Sequence, residues 1–199
     1  RNYFRLFKSK GELFLIKTTQ QGSVDCPRLQ LEFLTGDPDS QQTADIIEQV
    51  SKILNLILDL TPFYRAVEKE RVMKRITKNF YDFKPVLAPT VFEALVWAIL
   101  SQQVNLNFAY QLKESFVRKY GEQIKYAGQV YYSFPDPERI ASLDYRELVS
   151  LKLNSRKAEY LVELAKKIVF GKLNLEGSFT GDPERLISKL TELKGIGRW

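Results

Sequence analysis

The sequence of 199 residues contains no histidine and a single cysteine, Cys26. Without histidine the chain cannot carry out Ser-His-Asp or Cys-His catalysis, and most zinc and non-haem iron sites are excluded. One cysteine excludes an internal disulfide and any four-cysteine zinc or iron–sulfur site. If these residues take part in catalysis, the chemistry must come from carboxylates, from backbone dipoles or from groups outside the chain.

Long apolar runs are also missing from the sequence. The best candidate, residues 92–100, is far shorter than the roughly 20 residues that a membrane span needs, and it contains Glu93. No cleavable signal pattern opens the chain. We therefore expect an intracellular protein that has no membrane partner.

Lysine and arginine outnumber aspartate and glutamate, which gives a net charge of +6. Basic residues concentrate in residues 152–172, and Lys189, Lys194 and Arg198 follow around the last glycines. Such a distribution fits a polyanionic partner, but it equally fits a solvated face that keeps the protein in solution. Charge alone leaves both interpretations open.

The first third of the chain has the pattern of a small sheet. Three short segments rich in aromatic and aliphatic residues are separated by glycine or proline, which predicts three antiparallel strands within residues 1 to 36. The segments are residues 3–7, 13–16 and 29–33. Ser9, Lys10 and Gly11 are typical of a hairpin turn between the first two.

From residue 44 onward the pattern becomes helical, and we expect about seven helices. An apolar stripe at three-and-four spacing runs from Ile46 to Leu58. Helix starts are indicated by Asp-Pro pairs and by capping boxes, in which a side chain before the helix is followed three residues later by glutamate. These N-cap candidates are Thr90, Asp136, Asp144 and Asp182. The prediction is an α+β chain with a β-rich domain and packing helix in residues 1–60, then a helical domain in residues 61–199.

The most informative segment comes last, where a Gly-x-Gly turn follows an amphipathic helix that starts near Pro183. Gly195 and Gly197 would let the backbone turn tightly and expose consecutive N–H groups, and Ile196 would hold the turn to the core. Such N–H groups at the start of a following helix bind anions. The alternative is a C-cap glycine followed by an incidental one.

A second segment, residues 101–105, places uncharged polar side chains inside an otherwise apolar helical pattern. By itself this pattern indicates either a solvated break between two helices or an exposed functional loop. The apolar pattern resumes at Phe108, Leu112 and Phe116.

Residues 193–199, Leu-Lys-Gly-Ile-Gly-Arg-Trp, resemble the helix-hairpin-helix signature of the base-excision DNA glycosylases. Within that superfamily the sequence most resembles the alkylpurine, or 3-methyladenine type II, glycosylases. Residues 92–94, 98–105 and 155–165 resemble the family's upstream helices and loop in the same order. The resemblance implies a monomer that binds damaged double-stranded DNA, flips out an alkylated purine and hydrolyses its glycosidic bond. An abasic site would remain.

The resemblance also assigns roles to individual residues. Gln103 would fill the gap left by the flipped nucleotide, as intercalating wedges do. Phosphate would be bound by Gly195, Ile196, Gly197 and Arg198. Catalysis would require no cofactor, but a monovalent cation, Na⁺ or K⁺, would be held at the hairpin by main-chain carbonyls. These carbonyls belong to Thr191, Leu193 and Gly195.

Trp199 favours a monofunctional enzyme. In family members that also cut the strand, a lysine at this position forms a Schiff base with the sugar. Tryptophan cannot act as that nucleophile, but its face suits a cationic ring, so it would help to bind an alkylated base. Plain core packing is the alternative for Trp199. A glycosylase-lyase and a non-catalytic DNA-binding module remain alternatives for the whole protein.

The catalytic residue is not expected within this sequence. The resemblance implies an aspartate further along the helix that follows Trp199, and we expect the chain to be incomplete at both ends. Asp136, Asp144 and Asp182 are predicted helix caps, so none of them is assigned to catalysis.

Overall fold

A computed structural model describes residues 2–23, 26–173 and 182–198 of the chain. Their contacts divide the chain into two compact units, Arg1–Pro89 and Thr90–Trp199. The sequence placed a domain boundary after residue 60, whereas here residues 61–89 group with the N-terminal unit. The predicted α+β class is confirmed, because strands open the N-terminal unit and helices form most of the remainder.

The N-terminal sheet has the predicted antiparallel order. Its strands are β1 (Asn2–Ser9), β2 (Glu12–Gly22) and β3 (Pro27–Phe33), with β2 in the centre. Lys10 and Gly11 join β1 to β2 with φ angles of 49° and 82°. Two successive positive φ angles match the right-handed twist of a tight hairpin, so the turn predicted at Ser9–Lys10–Gly11 is confirmed.

The core of the N-terminal unit includes apolar residues of the sheet and of α1 (Ser40–Ile53): Phe7, Phe14, Ile16, Ile46, Val50 and Ile53. Asp39 and Gln42 form a reciprocal capping box at the start of α1. The helix ends earlier than the apolar stripe suggested, because Asn55 adopts a left-handed φ of 53° and Ile57 is 86% exposed. The short helices α2 (Thr61–Val67) and α3 (Arg71–Asn79) follow.

The C-terminal unit is built around one long helix, α8 (Ser155–Val169), which contacts α4, α6 and α7. Its buried face is apolar except for Lys157. The other elements in chain order are α4 (Val91–Ser101), α5 (Leu106–Tyr120), β4 (Gln123–Tyr126), β5 (Gln129–Tyr132), α6 (Pro137–Ala141), α7 (Tyr145–Val149) and α9 (Pro183–Thr191).

The predicted N-caps are confirmed at all four positions. Thr90 accepts the Glu93 N–H at 3.1 Å, and Asp182 accepts the Glu184 N–H at 3.0 Å. Asp144 forms a complete capping box with Glu147, and Asp136 precedes Pro137 as the N-cap of α6. Asp136, Asp144 and Asp182 therefore each precede a helix, as predicted.

The β4–β5 hairpin was missed by the sequence analysis. Ala127 and Gly128 connect its strands with φ angles of 48° and 77°, the same turn geometry as at Lys10 and Gly11. The signal was present, since aromatic and β-branched residues flank a glycine turn there. The described residues contain nine helices, against about seven expected. None of the helices found there has the length and apolar character to cross a membrane.

Candidate DNA interface

The segment after α9 forms a tight turn at residues 193–198, here called the glycine turn. Leu193 is buried and Ile196 packs against the same core, so the turn is held from both sides. The Ile196 N–H donates to the Leu193 carbonyl at 3.0 Å, and Gly195 has a φ of 82°. Glu192 is the C-cap of α9, which puts Leu193 at the position that a C-cap glycine would occupy. Neither glycine is therefore a simple helix terminator.

Gly195 is required by space as well as by conformation. A Cβ atom built at this position would lie 2.4 Å from Cδ2 of Tyr160, a residue of α8. Real Cβ contacts are not that short, and L side chains rarely adopt this φ. The Tyr160 ring therefore fixes where the glycine turn lies on α8.

The polar segment of residues 101–105, here called the wedge loop, runs from the last residue of α4 to the N-cap of α5. Gln102 leaves the helix with extended backbone, and Gln103 has a left-handed φ of 52°. Asn105 starts α5, because its side chain accepts the Phe108 N–H at 2.9 Å. The side chain of Gln103 is exposed at the tip of the loop, as a wedge residue requires.

Hydrogen bonds join the wedge loop both to α8 and to the glycine turn. The Lys157 ammonium donates to the carbonyls of Leu100 at 3.0 Å and of Gln102 at 2.6 Å. The Gln102 side-chain amide donates to the Gly195 carbonyl at 2.5 Å. Lys157 is only 8% exposed, and burial lowers the pKa of its ammonium. Two segments about 90 residues apart in sequence thus meet through one glutamine side chain.

Two basic residues of the glycine turn, Lys194 and Arg198, have acidic partners. Lys194 pairs with Glu163 at 3.0 Å, and hydrogen bonding to that carboxylate raises the pKa of the lysine. Arg198 pairs with Glu184 at 2.7 Å. The Arg198–Glu184 pair is well exposed, so water screens it and exchange of Arg198 onto another anion costs little. Glu163 is only 36% exposed and also pairs with Lys167 at 3.8 Å.

Comparison with known proteins identifies the family. Residues 96–196, about half of the chain, match the HhH-GPD superfamily of base excision DNA repair proteins. The chain belongs to this superfamily. The resemblance recognised in the sequence is thereby confirmed, and the matched region contains both the wedge loop and most of the glycine turn.

Three relatives illustrate the similarity. The chain is 35% identical over 155 residues to DNA-3-methyladenine glycosylase of Bacillus subtilis. The aligned region covers 78% of this chain and 51% of that protein. The structure of a 3-methyladenine DNA-glycosylase from Archaeoglobus fulgidus matches with a TM-score of 0.81 and 25% identity, covering 98% of this chain and 64% of that one. A Schizosaccharomyces pombe 3-methyladenine DNA glycosylase in complex with abasic DNA matches with a TM-score of 0.51 and 28% identity, covering 66% and 61%. The chain thus spans about half the length of the Bacillus subtilis relative.

In this HhH-GPD chain the predicted phosphate-binding residues differ in how accessible they are. Gly197 and Arg198 are exposed. The Ile196 N–H is already bonded to Leu193, so it is the least available of the predicted donors. Trp199, the predicted pocket residue, lies outside the described residues.

Two of the three carbonyls predicted to bind a cation accept hydrogen bonds in this structure. The Leu193 carbonyl accepts the Ile196 N–H, and the Gly195 carbonyl accepts the Gln102 amide. Because a carbonyl oxygen has two lone pairs, neither hydrogen bond excludes a cation at the same oxygen. Thr191, Leu193 and Gly195 stay predicted ligands.

Lys157 is the residue of this HhH-GPD site that the sequence analysis did not single out. The signal was its position, because Lys157 lies on the apolar stripe of α8 with Leu161 and Leu164. A lysine at such a position must find hydrogen-bond acceptors in the interior. Sequence spacing cannot say which acceptors, since these carbonyls belong to a loop far away in the chain.

Proposed function

We propose that this chain is the DNA-binding part of a monofunctional DNA glycosylase that removes alkylated purines. The observation that carries the proposal is the Gln102–Gly195 hydrogen bond, which joins the loop of exposed Gln103 to the glycine turn and so supports a shared role for the two segments in binding DNA. Membership of the HhH-GPD superfamily and the names of its 3-methyladenine glycosylase relatives support the choice of reaction.

The first proposed step is binding of the phosphate backbone of double-stranded DNA. Exposed Gly197 and Arg198 would offer main-chain N–H groups to a phosphate, and Lys194 and Arg198 would supply positive charge. To do so, the two cations would exchange their glutamate partners for phosphate. The chain's net charge of +6 favours the encounter.

The second proposed step is extrusion of the damaged nucleotide. Gln103 would enter the stack and hydrogen-bond to the base left without a partner. Trp199 would stack on the flipped base. Alkylation of a purine ring nitrogen gives the base a positive charge, which an indole face attracts and which also weakens the glycosidic bond.

The final step would be hydrolysis of the glycosidic bond, assisted by a carboxylate that we assign to none of the residues of this chain. Near the glycine turn, Glu163 and Glu184 are engaged with Lys194 and Arg198, so neither is assigned to catalysis. As the family resemblance implies, an aspartate beyond Trp199 would stabilise positive charge on the sugar or activate water. Since tryptophan replaces the lyase lysine, the product would be an abasic site in an uncut strand.

The test is to incubate the full-length protein with duplex DNA that carries methylated purines. Free-base release and strand nicking are measured in parallel, before and after mild alkali. We expect released methylpurines, with nicks appearing only after alkali. Nicks without alkali, together with a covalent protein–DNA adduct after borohydride reduction of the Schiff base, would instead indicate a glycosylase-lyase. Binding without release would indicate a DNA-binding module.

A further inference from the structure

Two hydrogen-bonding side chains in the C-terminal unit have no role in the steps above. Lys157 is a buried cation placed against the end of α4, where helix carbonyls lack intrahelical partners. Gln102 spans the space between that helix end and the glycine turn. Both side chains lie next to Gln103 in the structure without being part of the proposed contact with DNA.

Lys157 fixes the path of the wedge loop at its beginning. Its ammonium binds the carbonyl of Leu100 in the last turn of α4 and the carbonyl of Gln102 just beyond it. The negative end of the helix dipole favours a cation at this place. Because Lys157 belongs to α8, the beginning of the loop can move relative to α8 only if both hydrogen bonds break.

Gln102 fixes the position of Gln103, the residue that follows it. Gln103 has a left-handed backbone conformation, which is uncommon for a non-glycine residue. Immediately before it, the Gln102 carbonyl is held by Lys157 and the Gln102 amide is held by Gly195. Gln103, which has this left-handed conformation, is exposed to solvent.

We propose that Gln102, held by Lys157, is a positioning residue that couples the phosphate-binding glycine turn to the wedge residue Gln103. When the glycine turn binds a phosphate, the hydrogen bond from Gln102 to the Gly195 carbonyl makes Gln102 move together with the turn. Gln103 is then held at a fixed distance from that phosphate. The inference rests on the proposed function, and it assigns Gln102 a task different from that of the wedge itself.

The experiment uses the full-length protein with Gln102→Met, which keeps the length of the side chain but removes the amide donor. Binding is measured to a duplex with a tetrahydrofuran abasic analogue and to the same duplex undamaged. Loss of one hydrogen bond predicts that the preference for abasic DNA falls about fivefold to tenfold. Gln123→Met, an exposed glutamine on β4, is the matched control and should keep the preference.

A double-mutant cycle separates coupling from a general structural defect. If Gln102 acts through Gln103, then Gln103→Ala should lower the preference in the wild-type background but cause little further loss beside Gln102→Met. Additive losses, or an unchanged preference in Gln102→Met, would overturn the inference. Lys157→Met should give the same loss, and if that variant does not fold, the Gln102 cycle decides alone.

The experiments give different results if the proposed function is wrong and if only the coupling through Gln102 is wrong. A wild-type protein that does not prefer abasic DNA and releases no base would overturn the proposed function, and this inference with it. A wild-type protein that shows both properties, together with a Gln102→Met variant that retains them, would overturn only the coupling.

Discussion

The Tyr160 ring lies so close to Gly195 that a Cβ atom at the glycine would be 2.4 Å from the ring. Tyr160 belongs to α8, whereas Gly195 carries the carbonyl that Gln102 binds. One glycine therefore meets α8 on one side and the wedge loop on another. Its identity follows from both contacts and from its positive φ.

Gly195→Ala should destabilise the protein and weaken its binding to DNA. We expect a loss of about 2 to 4 kcal/mol in the free energy of unfolding, because left-handed strain adds to a clash with Tyr160. The measurement is urea unfolding of the full-length protein. Gly128→Ala is the control: its φ is 77° but its Cβ would meet open space, so only the conformational cost of about 1 to 2 kcal/mol should appear. Equal losses in both variants would contradict the close contact.

Gln103→Ala should weaken binding to abasic DNA and leave binding to undamaged duplex nearly unchanged. The side chain is exposed, so its removal should not alter the folded structure. We expect a decrease of about fivefold or more in affinity for the abasic analogue, measured by fluorescence anisotropy. Gln123→Ala provides the comparison. A uniform decrease for both duplexes would argue against the wedge role.

Glu184→Gln should strengthen DNA binding, because it releases Arg198 from its ion pair and removes a negative charge near the glycine turn. We expect about a twofold to fivefold gain in affinity at low salt, with a smaller gain as salt rises. Glu114→Gln is matched in net charge, since it disrupts a similarly exposed pair with Arg118 on α5. If both variants gain equally, the effect is one of net charge and not of Arg198.

Asp144 offers a test of pH dependence. Hydrogen bonds from Arg146 lower the pKa of this carboxyl from 3.8 to about 2. A group with a lowered pKa in the folded state stabilises that state above its unfolded pKa and ceases to do so as pH falls through the folded one. The difference in stability between wild type and Asp144→Asn should therefore shrink between about pH 4 and pH 2.

The same comparison in high salt provides the check on Asp144. Since the carboxylate is exposed, the difference should be smaller there at every pH. A difference that stays constant from pH 6 to pH 2 would mean that the N-cap geometry matters and the charge does not.

Local patterns in the sequence predicted local structure well. The turn at Lys10 and Gly11 and the N-caps Thr90, Asp144 and Asp182 depend on residues within three or four positions, and all were predicted. The end of α1 was predicted less well. The apolar residues after Ile53 continued the helical spacing, but Asn55 turned the chain out of the helix.

The candidate site was only partly predictable, because its partners are distant in sequence. The resemblance of residues 101–105 and 193–199 to the glycosylase signature indicated a wedge and a phosphate-binding turn. It also suggested the Gly195 carbonyl as a cation ligand, but it did not indicate the hydrogen bond that this carbonyl accepts from Gln102. The roles of Gln103, Gly197 and Arg198 stay predictions.

The sequence by itself determined the family, the α+β class and the absence of histidine chemistry, because these depend on residue identity and short-range spacing. Only the tertiary structure decided that Lys157 is buried and that Gln102 reaches Gly195. Nothing in the spacing of residues 102, 157 and 195 specifies that they meet. The packing of α4, α8 and the glycine turn against a common core brings their polar groups together, and a buried polar group must then bond to whatever that packing has placed beside it.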